Sequence, residues 1–432
     1  MAPLITPKIL KGFRDFLPSM EISRRNLVEK LENSFRSYGF VPIDTPALEY
    51  TEILLGKGGG ETEKQIYRFR DNGDRDVALR FDLTVPFARF LAMHKAELDF
   101  PFKRYHIAKV WRGENTQRGR YREFTQCDFD TIGSDSAASD FEILHMIRNT
   151  LLAIAGGNVI IRLNHRGIFN RFLSRLGVLD RSVDILRTVD KLAKIGRDET
   201  MKLLSDFAGE DKAKEILEYV EIEGSFEETL AAITAAAGAC PESERLGLIR
   251  RYMLDAGITD SFILDPSITR GLDYYTGVVF ESFLADMPEL GSVCGGGRYD
   301  NLVGLFSKDN LGGVGASIGI DRLIAGLEAL GRLETQKSSA LLAIACVSAA
   351  ATGAYQALAL KLRKEGIPCE VFLEEEKLTK QYQAAEKKGI RWLIIPDKEN
   401  PTGGALTLRD LSKRENREGL KLEEIIGILR KP

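Results

Sequence analysis

The sequence predicts an α+β fold, with an antiparallel sheet flanked by helices, a helical insertion and a smaller α/β domain at the C-terminal end. Three observations predict it. Two long strand-like runs, FKRYHIAKVW and RYREFTQCDFD, are joined by the polar turn GENTQRG, a long antiparallel hairpin signal. From about 178 to 259 the chain becomes rich in Ala, Leu, Glu and Lys with helical periodicity. Beyond residue 338, strand-like and helix-like segments alternate as they do in a small α/β unit.

The elements follow in order. After an extended, proline-marked start, Leu27, Leu31 and Phe35 recur every four residues and Gly39 follows as a stop, which reads as an amphipathic helix. FVPIDTPAL carries two prolines, so it is an edge or irregular strand. VALRF reads as a strand, and Thr84 with Pro86 suits the start of a helix through PFARFLAM. The hairpin comes next. After the insertion, GVVFESF is strand-like, and glycine-rich segments lead into a helix beginning near Asp321. ETQKSS reads as a linker. LLAIACV, YQALALKLRKEG, PCEVF, KQYQAAEKKG and RWLIIP then alternate strand and helix. The expected domains are residues 1–330, interrupted at about 178–259, then a linker over 331–337 and a second domain over 338–432.

A chain of 432 residues exceeds one typical domain, and 44% hydrophobic with 28% charged residues fits an ordinary globular protein. A core of that size needs neither disulfides nor a structural metal. The net charge of -3 gives no global sign of nucleic-acid binding, so any RNA contact must rest on local basic patches. The five cysteines are scattered and form no CxxC pair, which argues against a disulfide framework or zinc site and for a reducing compartment. MAPLITPKIL lacks a secretory core, and no apolar run is long enough to span a bilayer. The expectation is a cytoplasmic chain without membrane association.

Candidate chemistry concentrates on the hairpin. Period two along its second strand puts Arg120, Arg122, Phe124, Gln126, Asp128 and Asp130 on one face. A polar strand face is ordinarily solvated. Here one aromatic sits among the polar groups, and the preceding strand ends in Trp111-Arg112-Gly113-Glu114, so the face reads as the floor under a planar, charged ligand.

WRGENTQRGRYREFTQCDFDTIG is similar to the second signature motif of class II aminoacyl-tRNA synthetases: Arg-x-Glu, a variable loop, then Arg-x-x-x-Phe. RGLDYYTG, from Arg270, resembles a motif of the histidine-specific members, and GASIGIDR resembles the third class II motif. The resemblance covers nearly the whole chain, including the KGFRDFLP opening, and is weakest in the insertion. It implies a class II catalytic domain followed by an anticodon-binding domain. The implied activity is ATP-dependent activation of L-histidine to the adenylate, then transfer to the 3′ end of tRNA(His). ATP would be a substrate with Mg2+, and no metal held by the protein is expected.

By the family's pattern Arg112 bridges the α-phosphate and the amino-acid carboxylate with its planar fork of donors. Arg270 sits against the same phosphate, so these two are the implied catalytic residues. Glu114 accepts from the adenine amino group, Phe124 stacks on adenine, and Arg120 and Arg322 bind the nucleotide, Arg322 at the γ-phosphate. Asp82, Thr84 and Gln126 cradle the α-amino group, while Asp130 and Tyr275 recognise the imidazole with Tyr274 close by. No side-chain base is required, because the attacking carboxylate is already ionised; positioning and charge stabilisation carry the reaction. Asp82 and Asp130 stand where many bacterial members carry glutamate, which resembles the eukaryote-like branch. The hairpin tip, with Gln117 and Arg118, is the implied contact for the tRNA acceptor end. TPALEYTEILL resembles the family's interface motif and implies a homodimer.

Two other readings compete with this one. GASIG also matches the GxSxG nucleophile elbow, but the last histidine, His165, precedes Ser317, so a hydrolase would lack its base in the expected order. A non-catalytic relative, the regulatory subunit of ATP phosphoribosyltransferase, would tend to lack the C-terminal domain and parts of the ATP constellation. Both are present in this sequence.

Overall fold

A computed structural model of the chain describes residues 4–56, 61–116, 119–269, 275–300, 303–308, 311–397 and 405–430. They divide into two units: Val28–Leu333 with residues 1–14, and Asp15–Leu27 with residues from Glu334 onward.

In the first unit the two prolines of FVPIDTPAL leave only short strands, β1 (Val41–Pro42) and β2 (Leu48–Tyr50). After β3 (Arg68–Arg70) and β4 (Asp76–Leu79), the hairpin arms run as β5 (Phe102–Trp111) and β6 (Glu123–Ile132). The insertion lies between β7 (Val159–His165) and β8 (Phe262–Leu264). Then come β9 (Val278–Leu284), β10 (Cys294–Tyr299) and β11 (Gly313–Gly319). The main sheet has the order β1-β5-β6-β11-β10-β9-β7-β8, and β2-β4-β3 form a separate sheet. Internal pairings of the main sheet are antiparallel, as predicted. Its short edge strands depart from that, β1 pairing parallel to β5 and β8 parallel to β7.

The odd residues of β6 face the core. Phe129 lies 4.9 Å from Phe35, whose ring also meets Tyr105 at 5.5 Å. Phe35 and Leu31 are fully buried on the helix Pro18–Ser37, which is why their four-residue spacing was visible in the sequence. The even residues take the opposite face, with Arg104 paired to Asp130, Ala108 to Gln126 and Val110 to Phe124. Arg120 and Arg122 do not share this register. The strand starts at Glu123, so period two cannot be extended back to them. The Arg122 amide donates to the Gly12 carbonyl at 2.9 Å, and its Nε donates to the Glu114 carbonyl at 3.1 Å.

The glycines of CGGGRYD and GGVGASIG permit close backbone approach to a ligand, although such runs are most often only turns. They form paired strands instead, with Gly296 opposite Ala316 and Gly297 opposite Gly315. A Cβ on Gly296 would strike the Gly315 carbonyl, and one on Gly315 would strike the Asp130 carboxyl. The missing side chains therefore let β10 and β11 pack and make room for a buried acid.

The insertion consists mainly of helices, from Ser182–Val189 to Pro241–Asp255. One of them, Phe226–Ala237, starts at a capping box between Ser225 and Glu228. Arg245 of the last helix donates to Asp140 Oδ2 at 2.6 Å, and Arg298 of β10 donates to Asp140 Oδ1 at 2.8 Å.

The second unit carries β12 (Leu342–Ile344), β13 (Cys369–Val371), β14 (Trp392–Pro396), β15 (Leu406–Asp410) and β16 (Glu415–Leu420). Their order is β13-β12-β14-β15-β16. The first three strands are parallel and are connected by the predicted helices, Thr352–Lys364 and Leu378–Lys387. The antiparallel pair β15–β16 and the helix Leu422–Leu429 were not predicted. All five cysteines are buried free thiols. Among the described residues no helix is long and apolar enough to cross a membrane.

Candidate active site

The strands end where the signature residues begin. Arg112 and Glu114 follow directly on β5, Phe124 is the second residue of β6, and Arg322 lies in the first turn of the helix Ile320–Ala329 after β11. With Arg120 they line a single cavity of about 320 Å³. The residues that the sequence implied for ATP thus converge from separate stretches of chain.

Arg112 is held in place by contacts within the protein. Its Nε donates to the Phe81 carbonyl at 2.9 Å, its guanidinium carbon lies 5.2 Å from the Phe124 ring centre, and Nη1 is 3.8 Å from Glu114 Oε1. Arg322 Nη1 donates to the Ser292 carbonyl at 2.6 Å. Between them, Asp321 accepts the Thr125 amide at 2.8 Å and pairs with Arg14, whose guanidinium stacks 3.8 Å over Tyr121. Asp321 therefore ties the start of the Arg322 helix to the hairpin. The sequence showed Asp321 only as a helix-start residue.

Next to this cavity is a hollow of about 70 Å³, lined by Asp82, Thr84, Gln126, Asp128, Asp130, Tyr275 and Tyr299. Arg112 and Ser317 line both spaces. Asp82 Oδ1 accepts the Val85 amide at 3.1 Å, so it caps the helix Thr84–His94, whose start the sequence had assigned to Thr84. Gln126 Nε2 donates to the Ser317 hydroxyl at 3.1 Å. Asp130 Oδ1 accepts from the Tyr299 hydroxyl at 2.6 Å, and Oδ2 lies 2.5 Å from Arg104 Nη2. Arg104 is fully buried, with its guanidinium 3.9 Å over the Phe87 ring.

Three buried carboxyls meet two guanidiniums, and burial raises the pKa of each acid. Asp128 is pushed up to about 7 by burial, with Arg104 opposing the shift and Asp130 and Asp82 adding to it. Arg104, Tyr299 and Ser317 received no role from the sequence. The one available signal was the hairpin register, which sets Arg104 opposite Asp130. Arg270, Tyr274, Gln117 and Arg118 lie outside the described residues.

Comparison with known proteins agrees with this arrangement. The family described as Histidyl-tRNA synthetase matches residues 12–323, and the family described as Anticodon binding domain matches residues 342–432. The chain belongs to the histidyl-tRNA synthetase family. It is 54% identical to the histidine–tRNA ligase of Treponema denticola, with 97% of each chain covered, and 46% identical to that of Rhodopirellula baltica, with 96% of each covered. The crystal structure of the histidyl-tRNA synthetase from a Nostoc species superposes with a TM-score of 0.89 at 32% identity, covering 99% of this chain and 100% of that one. A Bacillus halodurans structure described as an ATP phosphoribosyltransferase regulatory subunit/histidyl-tRNA synthetase has a TM-score of 0.73 at 21% identity. It covers 88% of this chain and 97% of its own, and shares the fold. Histidyl-tRNA synthetases use ATP, histidine and tRNA. The full-length relatives favour the synthetase over the regulatory subunit.

Proposed function

We infer that the chain is a histidine–tRNA ligase, which activates L-histidine with ATP and transfers it to the 3′ end of tRNA(His). The observation that carries this reading is the shared wall: Arg112 borders both the larger cavity and the acidic hollow. A nucleotide in one and histidine in the other would bring the α-phosphate and the carboxylate, two anions, to the same guanidinium.

Within that reading Phe124 stacks on adenine, Glu114 accepts its amino group, and Arg120 and Arg322 hold the phosphates. Asp82, Thr84 and Gln126 take the α-ammonium, and Asp130 with Tyr275 forms the ring end of the hollow. Arg270 and Tyr274 take the roles implied by RGLDYYTG, and Gln117 with Arg118 the contact with the acceptor end. Mg2+ would accompany the triphosphate, and Glu281, a carboxylate lining the larger cavity, is an oxygen donor of the kind that ion takes. The second domain would bind the anticodon. Its basic helix supports this weakly, since Lys380, Lys388 and Arg391 are paired with Glu376, Glu370 and Asp410. The cytoplasm is the proposed location.

ATP–pyrophosphate exchange with each amino acid in turn tests the reading. Histidine alone should support exchange, and the same protein should charge a tRNA(His) transcript. A protein that exchanges with another amino acid, or with none, is not this ligase.

A homodimer is proposed as well. Exposed Leu48, Tyr50 and Met93 line an apolar groove with Ile53, Val77 and Phe306, beside the strand that carries the family's interface motif. Sedimentation at micromolar concentration should give twice the chain mass. A fully active monomer would reject the dimer.

A further inference from the structure

Resting on the reading of the larger cavity as the ATP site, we propose that Arg14 is a positioning residue for the triphosphate, because it neutralises the Asp321 carboxylate beside Arg322. The lining of that cavity is balanced in charge, with Arg112, Arg120 and Arg322 set against Glu114, Glu281 and Asp321. A wall with as many acids as bases offers a polyanion little net attraction. Asp321 and Arg322 are adjacent in the first turn of the helix Ile320–Ala329. An uncompensated carboxylate at that place would repel the phosphate assigned to Arg322.

Arg14 removes this repulsion from behind the wall. Its Nη2 pairs with Asp321 Oδ1, while Asp321 Oδ2 accepts the Thr125 amide at 2.8 Å. The guanidinium lies 3.8 Å over the ring of Tyr121, which lines the cavity. Asp321 is 4% exposed, so water screens its charge poorly. Without Arg14 the acid would keep an amide donor but lose its guanidinium, and its negative charge would act on the cavity.

The backbone is shaped to deliver Arg14 to this place. Gly12 has a φ of 87°, and its carbonyl accepts the Arg122 amide at 2.9 Å and the Glu123 amide at 3.4 Å. A Cβ on Gly12 would strike the Arg122 side chain. Gly12 therefore fastens the KGF run to the start of β6, and Arg14, two residues on, arrives over Tyr121. Its effect on the nucleotide runs through Asp321, with no contact of its own required.

The test compares full-length wild type, Arg14→Gln, Arg14→Lys and the double variant Arg14→Gln/Asp321→Asn in ATP–pyrophosphate exchange, with thermal melts. Arg14→Gln should raise the KM for ATP about 10-fold, while kcat and the KM for histidine hold. Asp321→Asn keeps an oxygen for the Thr125 amide and discards the charge, so the double variant should recover most of the lost ATP affinity. A merely structural brace would leave the double variant as impaired as Arg14→Gln or more so, and that result overturns the inference. An unchanged ATP KM in folded Arg14→Gln also overturns it and leaves the ligase reading intact. Should Arg14→Gln fail to fold, Arg14→Lys decides, because it retains the charge. An ATP KM within about threefold of wild type then supports the assignment, and a rise of about 10-fold rejects it. Wild type that gives no histidine-dependent exchange overturns both readings.

Discussion

Alanine at Arg112 is expected to slow histidine-dependent pyrophosphate exchange by about 10³-fold, with the fold intact. The magnitude is that of removing a preorganised donor aimed at charge developing in the transition state. The loss should fall mainly on kcat, because the guanidinium would help most as the carboxylate oxygen closes on the α-phosphate. Its structural ties are modest: one bond to the Phe81 carbonyl, a ring contact with Phe124, and a side chain that is 29% exposed. Steady-state exchange and a thermal melt measure the two effects. A fall of less than tenfold in kcat/KM would remove Arg112 from the reaction.

Methionine at Arg104 should act on stability instead. It deletes the fully buried cation that touches Asp130, and it leaves Asp128 and Asp130 uncompensated beneath β11. Breaking one side of a buried ion pair costs about 3–5 kcal/mol. The loss should also depend on pH in a defined direction. Asp128 sits at about 7 in the folded chain against an ordinary 3.8, so the folded state binds more protons than the unfolded state between those values. Stability from this group is present in full below about 4 and declines as pH rises through 7. Removing Arg104 takes away the cation that opposes the shift, so the decline extends to higher pH. Denaturant melts at pH 5.5 and pH 8 should therefore differ more for Arg104→Met than for wild type. A variant as stable as wild type at pH 8 would show that the pairing contributes nothing.

The parts of this site legible in the sequence are those written locally. Arg112, Glu114 and Phe124 belong to one hairpin, and Arg322 opens a helix directly after a strand, so short motifs announce them. The Arg104–Asp130–Tyr299 network is different. It joins β5, β6 and β10, and only the sheet order reveals that β11 brings β10 near β6. The glycine runs could not be interpreted from sequence for a related reason. Their role is steric and lies across strands, between Gly296 and the Gly315 backbone and between Gly315 and Asp130. β16 escaped notice because Glu415 to Gly419 are all exposed, so no apolar alternation marks the strand. Arg122 was misplaced because a two-residue period holds only inside a strand, and the strand begins one residue later.

The doubly bound Asp140 makes two unequal contacts, one with Arg245 of the insertion and one with Arg298 of β10. Releasing Arg245 would hydrate a side chain that is already 17% exposed, and Arg298 would still neutralise the acid. Releasing Arg298 would instead strand charge away from water, since both it and Asp140 are buried. A hinge in this region would thus have its soft side on the helix Pro241–Asp255. Its stiff side would be β10, whose Gly297 lies against Tyr275. Helical motion there would be absorbed at the rim, and β10 would stay fixed.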